Sequence, residues 1–246
     1  MGVLSEIAME LSRRDLLVGI GGASGGMILA GRAMGVVEPE PSEGVMSGEV
    51  TATEDLMREH GILRRALFVY SEAAVRLRSK PSEVSPDALQ KTAKLFRTFG
   101  EDYHEKKLEE AFIFPAVKKA GGDAGSWTDI LVVQHNRGRE MTEYILSVTK
   151  AAKIESGDTE PLAKALDSMV RMYRPHAARE DTVIFPAWKQ TLTAKQLDKM
   201  NDKFEDIEHE MLGKNGFDNA VKQISEIEKG LGLADLSQFT APIIRK

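Results

Sequence analysis

The chain has 246 residues and only five histidines, His60, His104, His135, His176 and His209. It has no cysteine, which excludes disulfides, thiolate metal sites and cysteine nucleophiles. Two of the histidines open the same short pattern. Residues 103–117 read YHEKKLEEAFIFPAV and residues 174–188 read RPHAAREDTVIFPAW. Each has a histidine, an acidic pair, apolar residues and then Phe-Pro-Ala. Glu109-Glu110 aligns with Glu180-Asp181, and Phe114-Pro115 with Phe185-Pro186. Imidazole and carboxylate donors without thiolate suit iron, manganese or zinc. A lone buried histidine is more often a hydrogen-bonded core residue than a ligand, so metal chemistry here requires that several of them meet.

The segments before these motifs repeat as well. Glu59-His60 is followed by Arg64, and Gln134-His135 by Arg139, each arginine lying four residues after its histidine. His60 and His135 are 75 residues apart, His104 and His176 are 72 apart, and the pattern reads as an internal duplication of a two-helix unit whose repeated parts are polar. From Thr51 onward apolar residues recur at helical spacing and no alternating strand pattern appears. The expected helices are about 53–79, 86–119, 126–153 and 159–189, then a fifth reaching about 212 and a shorter sixth over about 217–230. Ser85-Pro86, Asp158 and the capping box Thr193-Ala194-Lys195-Gln196 mark three of the starts. Such a chain predicts an all-α fold, an antiparallel up-down four-helix bundle with one or two extra C-terminal helices.

In that bundle His60 and His104 each lie about 20 residues from their shared turn, and His135 and His176 are nearly equidistant from the turn near 156. With a fixed rise per residue, each pair then sits at one level of its hairpin. His176 and Glu180 are four residues apart, about 40° around a helix, and both can face inward. His104 and Glu109 are five apart, about 140°, and share a face only if the helix widens. A regular helix carrying this extra residue would swing Phe112 and Phe114 off the core. A π-type turn between His104 and Glu109 is therefore expected. The competing possibility is that 105–110 (EKKLEE) is a solvated charged face.

With these histidines, acidic pairs and Phe-Pro turns, residues 54–212 resemble the hemerythrin HHE cation-binding family. The resemblance implies a non-haem di-iron centre, two iron ions in an antiparallel four-helix bundle. Such a centre reversibly binds oxygen, or in bacterial relatives handles nitric oxide or peroxide, or senses oxygen. Carried over residue by residue, the implied metal ligands are His60, His104, Glu109, His135, His176 and Glu180, with Asp181 as alternate to Glu180. One position departs: the family's third helix supplies two histidines four apart, and the second of these is Arg139 here, which cannot ligate. His209 is the remaining histidine. It completes the set if the fifth helix packs against an open seam; otherwise it is a surface residue of the acidic stretch EDIEHE. Arg64 and Arg139 are expected to pair with carboxylates of the site, and Tyr70, Tyr103, Tyr144 and Tyr173 to be core residues with satisfied hydroxyls. The function expected is reversible binding of oxygen or nitric oxide, with a peroxide- or nitric-oxide-consuming enzyme, or an iron store, as alternatives. A formal net charge of −5 does not suggest a nucleic-acid partner.

Residues 1–35 read as an export address. Arg13-Arg14 stands directly before a weakly apolar run, Leu16 to Ala30, that carries five glycines. The run is short of the ~20 residues a membrane span needs, and glycine is costly inside a buried helix, so a twin-arginine signal is expected, with the mature chain periplasmic or otherwise exported and not inserted in the membrane, or tethered to the membrane where the signal is not cleaved. A linker (36–50), the helical domain (51–235) and a tail (236–246) follow. Replacing Arg13 and Arg14 by lysine is expected to leave the protein in the cytoplasm. Cell fractionation checks this, and normal appearance outside the inner membrane would refute it.

Overall fold

The computed structural model describes residues 50–244, so the expected signal and nearly all of the linker lie outside the described residues. Every regular element among the described residues is helical. Helix α1 is Ala52–Ser79. Helix α2 is a continuous rod over 86–120, built of an α-helical start Pro86–Leu95, a π-helical middle Phe96–Ile113 and an α-helical end Phe114–Ala120. Helix α3 is Gly122–Val148. Helix α4, residues 159–190, is α-helical over Thr159–Arg179, π-helical over Glu180–Ile184 and α-helical again over Phe185–Gln190. Helices α5 (Ala194–Leu212) and α6 (Gly216–Gly230) follow. No described helix is long and apolar enough to cross a membrane.

The ends are set by local chemistry. Ser85 accepts the Ala88 N–H ahead of Pro86, and Thr193 and Gln196 form the expected reciprocal capping box. Gly121, at φ 77°, turns the chain straight from α2 into α3, four residues sooner than the sequence pattern suggested, because Gly122 at φ 67° already opens the next helix. Asp158 precedes α4, but its side chain makes no capping bond.

Interhelical pairs fix directions. Arg78, at the end of α1, meets Glu160 and Asp167 near the start of α4, whereas His60 meets Asp181 near its end. These two helices therefore run oppositely. Arg97 meets Glu143 and Lys118 meets Asp129, so α2 and α3 do too. Helix α5 adds Phe204 against Trp188 and Phe112, and α6 is tied to α1 by Arg65 and Glu228.

The buried histidines, and most of the buried carboxylates, lie at the level of the π segments. Along the π-helical part of α2 the buried residues fall in groups that recur every four to five positions: Phe96, Phe99–Glu101, Tyr103–Glu105, Leu108–Glu109, Ile113. An i→i+5 turn keeps such residues on one face, so the predicted widening exists and extends well beyond the 104–109 interval. Both π segments end at Phe-Pro, and in both the Phe N–H bonds to the carbonyl five residues back, Phe114 to Glu109 and Phe185 to Glu180. Proline lacks an N–H and its ring collides with the carbonyl four residues back in an α-helix; the wider turn eases that collision. Gly138 of α3 admits the closest approach nearby, since a Cβ there would stand 1.9 Å from the Tyr173 hydroxyl oxygen. Gly138→Ala should therefore cost about 1–3 kcal/mol by overpacking, measured by urea denaturation, and a Tyr173→Phe background should reduce that cost; an unchanged midpoint would show that the ring moves freely.

Candidate metal centre

Four of the five histidines converge on the polar level of the core. His60 comes from α1, His104 from α2, His135 from α3 and His176 from α4, and all four are buried. They form two pairs. The Nε2 atoms of His60 and His104 are 3.0 Å apart, as are those of His135 and His176. Glu109 and Glu180, each 0% exposed, lie between the pairs. Glu109 puts Oε1 3.3 Å from His104 Nε2 and Oε2 3.4 Å from His135 Nε2. Glu180 puts Oε2 3.5 Å from His60 Nε2 and Oε1 3.0 Å from His176 Nε2. Each carboxylate thus offers one oxygen to each histidine pair. The groups His60, His104, Glu109 and His135, His176, Glu180 can each hold a metal ion.

The outward nitrogens explain why the inward ones are free to coordinate. His104 Nδ1 donates to Glu59 at 2.7 Å, His60 Nδ1 to Asp181 at 2.7 Å, His135 Nδ1 to Glu110 at 2.9 Å and His176 Nδ1 to the Gln134 side-chain oxygen at 2.8 Å. A donor at Nδ1 leaves the lone pair of a neutral imidazole on Nε2. Two such lone pairs facing each other at 3.0 Å repel unless a cation sits between them. All four oxygens of Glu109 and Glu180 are buried without a hydrogen-bond partner, which is costly for a carboxylate unless another positive group compensates. The donor set therefore fits metal cations.

In the metal-free protein a proton can take each cation's place. Burial disfavours charge on His104, but Glu109 and Glu59 more than offset it and hold its pKa well above the ordinary imidazole value. His135 is likewise depressed by burial and raised further by Glu105, Glu110 and Glu180. These two residues belong to different pairs, so one proton serves each Nε2 contact. Burial would raise the Glu180 carboxyl, yet His176 and His135 hold it well below the usual carboxylate range.

The arrangement carries an approximate two-fold repetition that the sequence motifs foreshadow. Glu59 and Gln134, each just before a histidine, reach across to the histidine of the next helix. Glu110 and Asp181, each just after an inward glutamate, reach back to His135 and His60. Arg64 pairs with Asp181, and Arg139 with Glu110 at 2.5 Å and Glu105 at 3.2 Å, as the sequence suggested. Asp181 is thus a brace for His60 and stands aside from the inward donors. The bracing roles of Glu59, Gln134 and Glu110 escaped the sequence reading, although their equivalent positions beside ligand candidates in both repeats were the available signal. His209 does not join the cluster. It sits in the last turn of α5, its side chain 41% exposed and 4.0 Å from Glu205, because α5 packs outside the core through Phe204. Tyr103 and Tyr173 donate to Glu59 and Glu105, as expected of core tyrosines, whereas the buried Tyr70 hydroxyl has no hydrogen-bond partner.

A family model for the hemerythrin HHE cation binding domain matches residues 51–188. The chain belongs to this family. Membership makes it a cation-binding protein, and the buried histidine and glutamate groups are where a cation fits. Among similar proteins are the uncharacterized proteins Rv1995 of Mycobacterium tuberculosis and Mb2018 of Mycobacterium bovis. Each is 40% identical over 237 residues, covering 94% of this chain and 91% of the relative. No solved structure gives a significant match.

Because His104 and His135 hold their protons above the ordinary imidazole range, a metal must displace them. Metal uptake near neutral pH is therefore expected to release up to about two protons per chain, and affinity should fall as pH falls. Titration with metal in weakly buffered solution, read by a pH indicator, checks this; uptake without proton release would show that the Nε2 contacts carry no proton.

Proposed function

We propose that helices α1–α4 form the antiparallel up-down bundle of the family and hold two iron ions, and that the protein reversibly binds oxygen or nitric oxide there. The observation that carries this reading is the pairing of the donors: two facing Nε2 pairs, with two orphaned carboxylates that each present one oxygen to each pair. That is a donor set for two cations joined by two carboxylates, a pattern that helical bundles use for di-metal sites. His60, His104, His135 and His176 would supply the nitrogen ligands and Glu109 and Glu180 the bridges. When bound, iron supplies variable oxidation state and coordination positions open to a small ligand.

The protein's own groups define what can approach. A cavity of about 10 Å³, roughly the room one water-sized molecule needs, lies against the cluster and is lined by Leu63, Leu67, Tyr173 and Ala177 with Arg64. Its size suits a diatomic molecule or peroxide, and Leu63 and Leu67 make part of its wall apolar. A second reading, an enzyme that consumes peroxide or nitric oxide, is favoured by a different observation. The lining also includes Glu105, whose carboxylate holds the Tyr173 hydroxyl at 2.8 Å, so hydrogen-bonding groups stand beside the cavity.

Purified protein is expected to carry up to two iron per chain, and His176→Ala or Glu180→Ala should remove most of it. Elemental analysis checks the content, and unchanged metal in both variants would sink the assignment. Spectra of the reduced protein under oxygen, followed by a peroxide-consumption assay, separate the two readings: a reversible spectral change without consumption supports the binder, and turnover supports the enzyme.

A further inference from the structure

One buried acid has no part in the cluster described above. Glu101 of α2 is 0% exposed and lies one turn before Glu105 on the face that carries the histidine. The Thr142 hydroxyl donates to its Oε1. Arg97 Nη1 lies 3.1 Å from its Oε2 but makes no well-directed hydrogen bond, so that oxygen remains without a partner. The groups facing Glu101 come from all four helices: Tyr70 on α1, Arg97 and Glu105 on its own helix, Thr142 and Arg139 on α3, and Tyr173 on α4. Tyr70 hides a second orphan, its hydroxyl. Unlike the orphaned oxygens of Glu109 and Glu180, which face the histidines, the spare oxygen of Glu101 lies beside the proposed centre with no ligand candidate opposite it. Fully satisfied ion pairs would lock such a group as a permanent anion; this one is left poised.

We propose that Glu101 is the proton-compensating residue of the centre, binding a proton when the charge of the centre falls and releasing it when that charge rises. This rests on the redox-active iron reading given above. Glu101 touches no ligand candidate and acts as a positioning group for charge across Glu105. The exchange balances simply. Glu101 takes one proton from solvent when an external one-electron reductant delivers one electron to the centre, and returns it to solvent when that electron leaves. Net charge in the buried core then stays constant, which matters because separated charges interact strongly where water is absent. The titration range suits the role. Burial, together with the Glu105 carboxylate, pushes the Glu101 carboxyl up to about 7 against the opposing effect of the Thr142 hydrogen bond. Metal cations nearby would lower it from there, so the active window lies at and below neutral pH.

The test is the midpoint potential of the iron-loaded protein measured from pH 5 to 8 in wild type, Glu101→Gln and Thr142→Val. Glutamine keeps the size and the Thr142 bond, and circular dichroism and iron content confirm that each variant folds and loads. Wild type is expected to fall in potential as pH rises, approaching the limit of about 59 mV for each tenfold change in proton activity in a one-electron couple. Glu101→Gln should flatten that slope, and Thr142→Val, which removes the bond that favours the anion, should move the sloped window to higher pH. A second readout is infrared titration of the protein, where a protonated-carboxyl band should vanish in Glu101→Gln. Identical slopes in all three proteins would overturn this inference while leaving the iron reading intact. A protein that binds no redox-active iron would instead overturn the iron reading, and this inference with it.

Discussion

Two carboxylates and four imidazoles are buried together in the core, and their charge has to be balanced from within. The oxygens of Glu109 and Glu180 find no hydrogen bond, and the inward nitrogens of the histidines face one another in pairs. A buried anion without compensation is among the most expensive features a fold can carry. Proton or metal, some positive charge must sit at each pair. Metal affinity and folding stability are therefore linked, because whatever cation binds the folded cluster and not the unfolded chain stabilises the fold by mass action.

The helices are shaped to bring these groups together. A regular α-helix cannot place His104, Glu105 and Glu109 on one face, yet all three are buried. The π turns solve this on α2, and Phe-Pro closes them on both α2 and α4. Helix widening is less favourable than α-helix, so it persists where the surroundings reward it. Here the reward is the burial of Phe114 and Phe185 immediately beyond the turns, stacked on His135 and His60. The same aromatic rings that terminate the widened segments thus wall the cluster and limit rotation of two histidines.

Much of this was legible from residue types and spacing. The duplication, the helix boundaries to within a few residues, the meeting of four histidines and the widened turn near Glu109 follow from periodicity and from the offset between His104 and Glu109. Three things were less accessible. The length of the π segment depends on tertiary packing over many residues, which no local pattern encodes. The crossed bracing by Glu59, Gln134, Glu110 and Asp181 depends on which helix faces which. His209 was a candidate only because histidines are scarce; helical height alone cannot say whether α5 enters the core or covers it, and its amphipathic pattern, with Phe204 inward and most of the charged residues outward, fits covering.

Arg139, which stands where the family resemblance implied a second histidine on α3, has a structural logic of its own. Arg139 repeats the position of Arg64 in the other half, and each arginine supports the carboxylate that holds a histidine Nδ1. A third imidazole on one side would make the halves unequal. With arginine there, each Nε2 pair receives two histidines and a share of both glutamates, and the guanidinium stays outside as a fixed positive charge that favours the ionised form of Glu110. The asymmetry that remains lies in the surroundings. Glu105, Tyr173 and the Gly138 contact stand beside the His135 and His176 half, whereas Glu59 and Tyr103 brace the other. Any difference in behaviour between the two Nε2 pairs must therefore come from these neighbours and from access to the cavity, since the inner donors offered on the two sides are the same in kind and number.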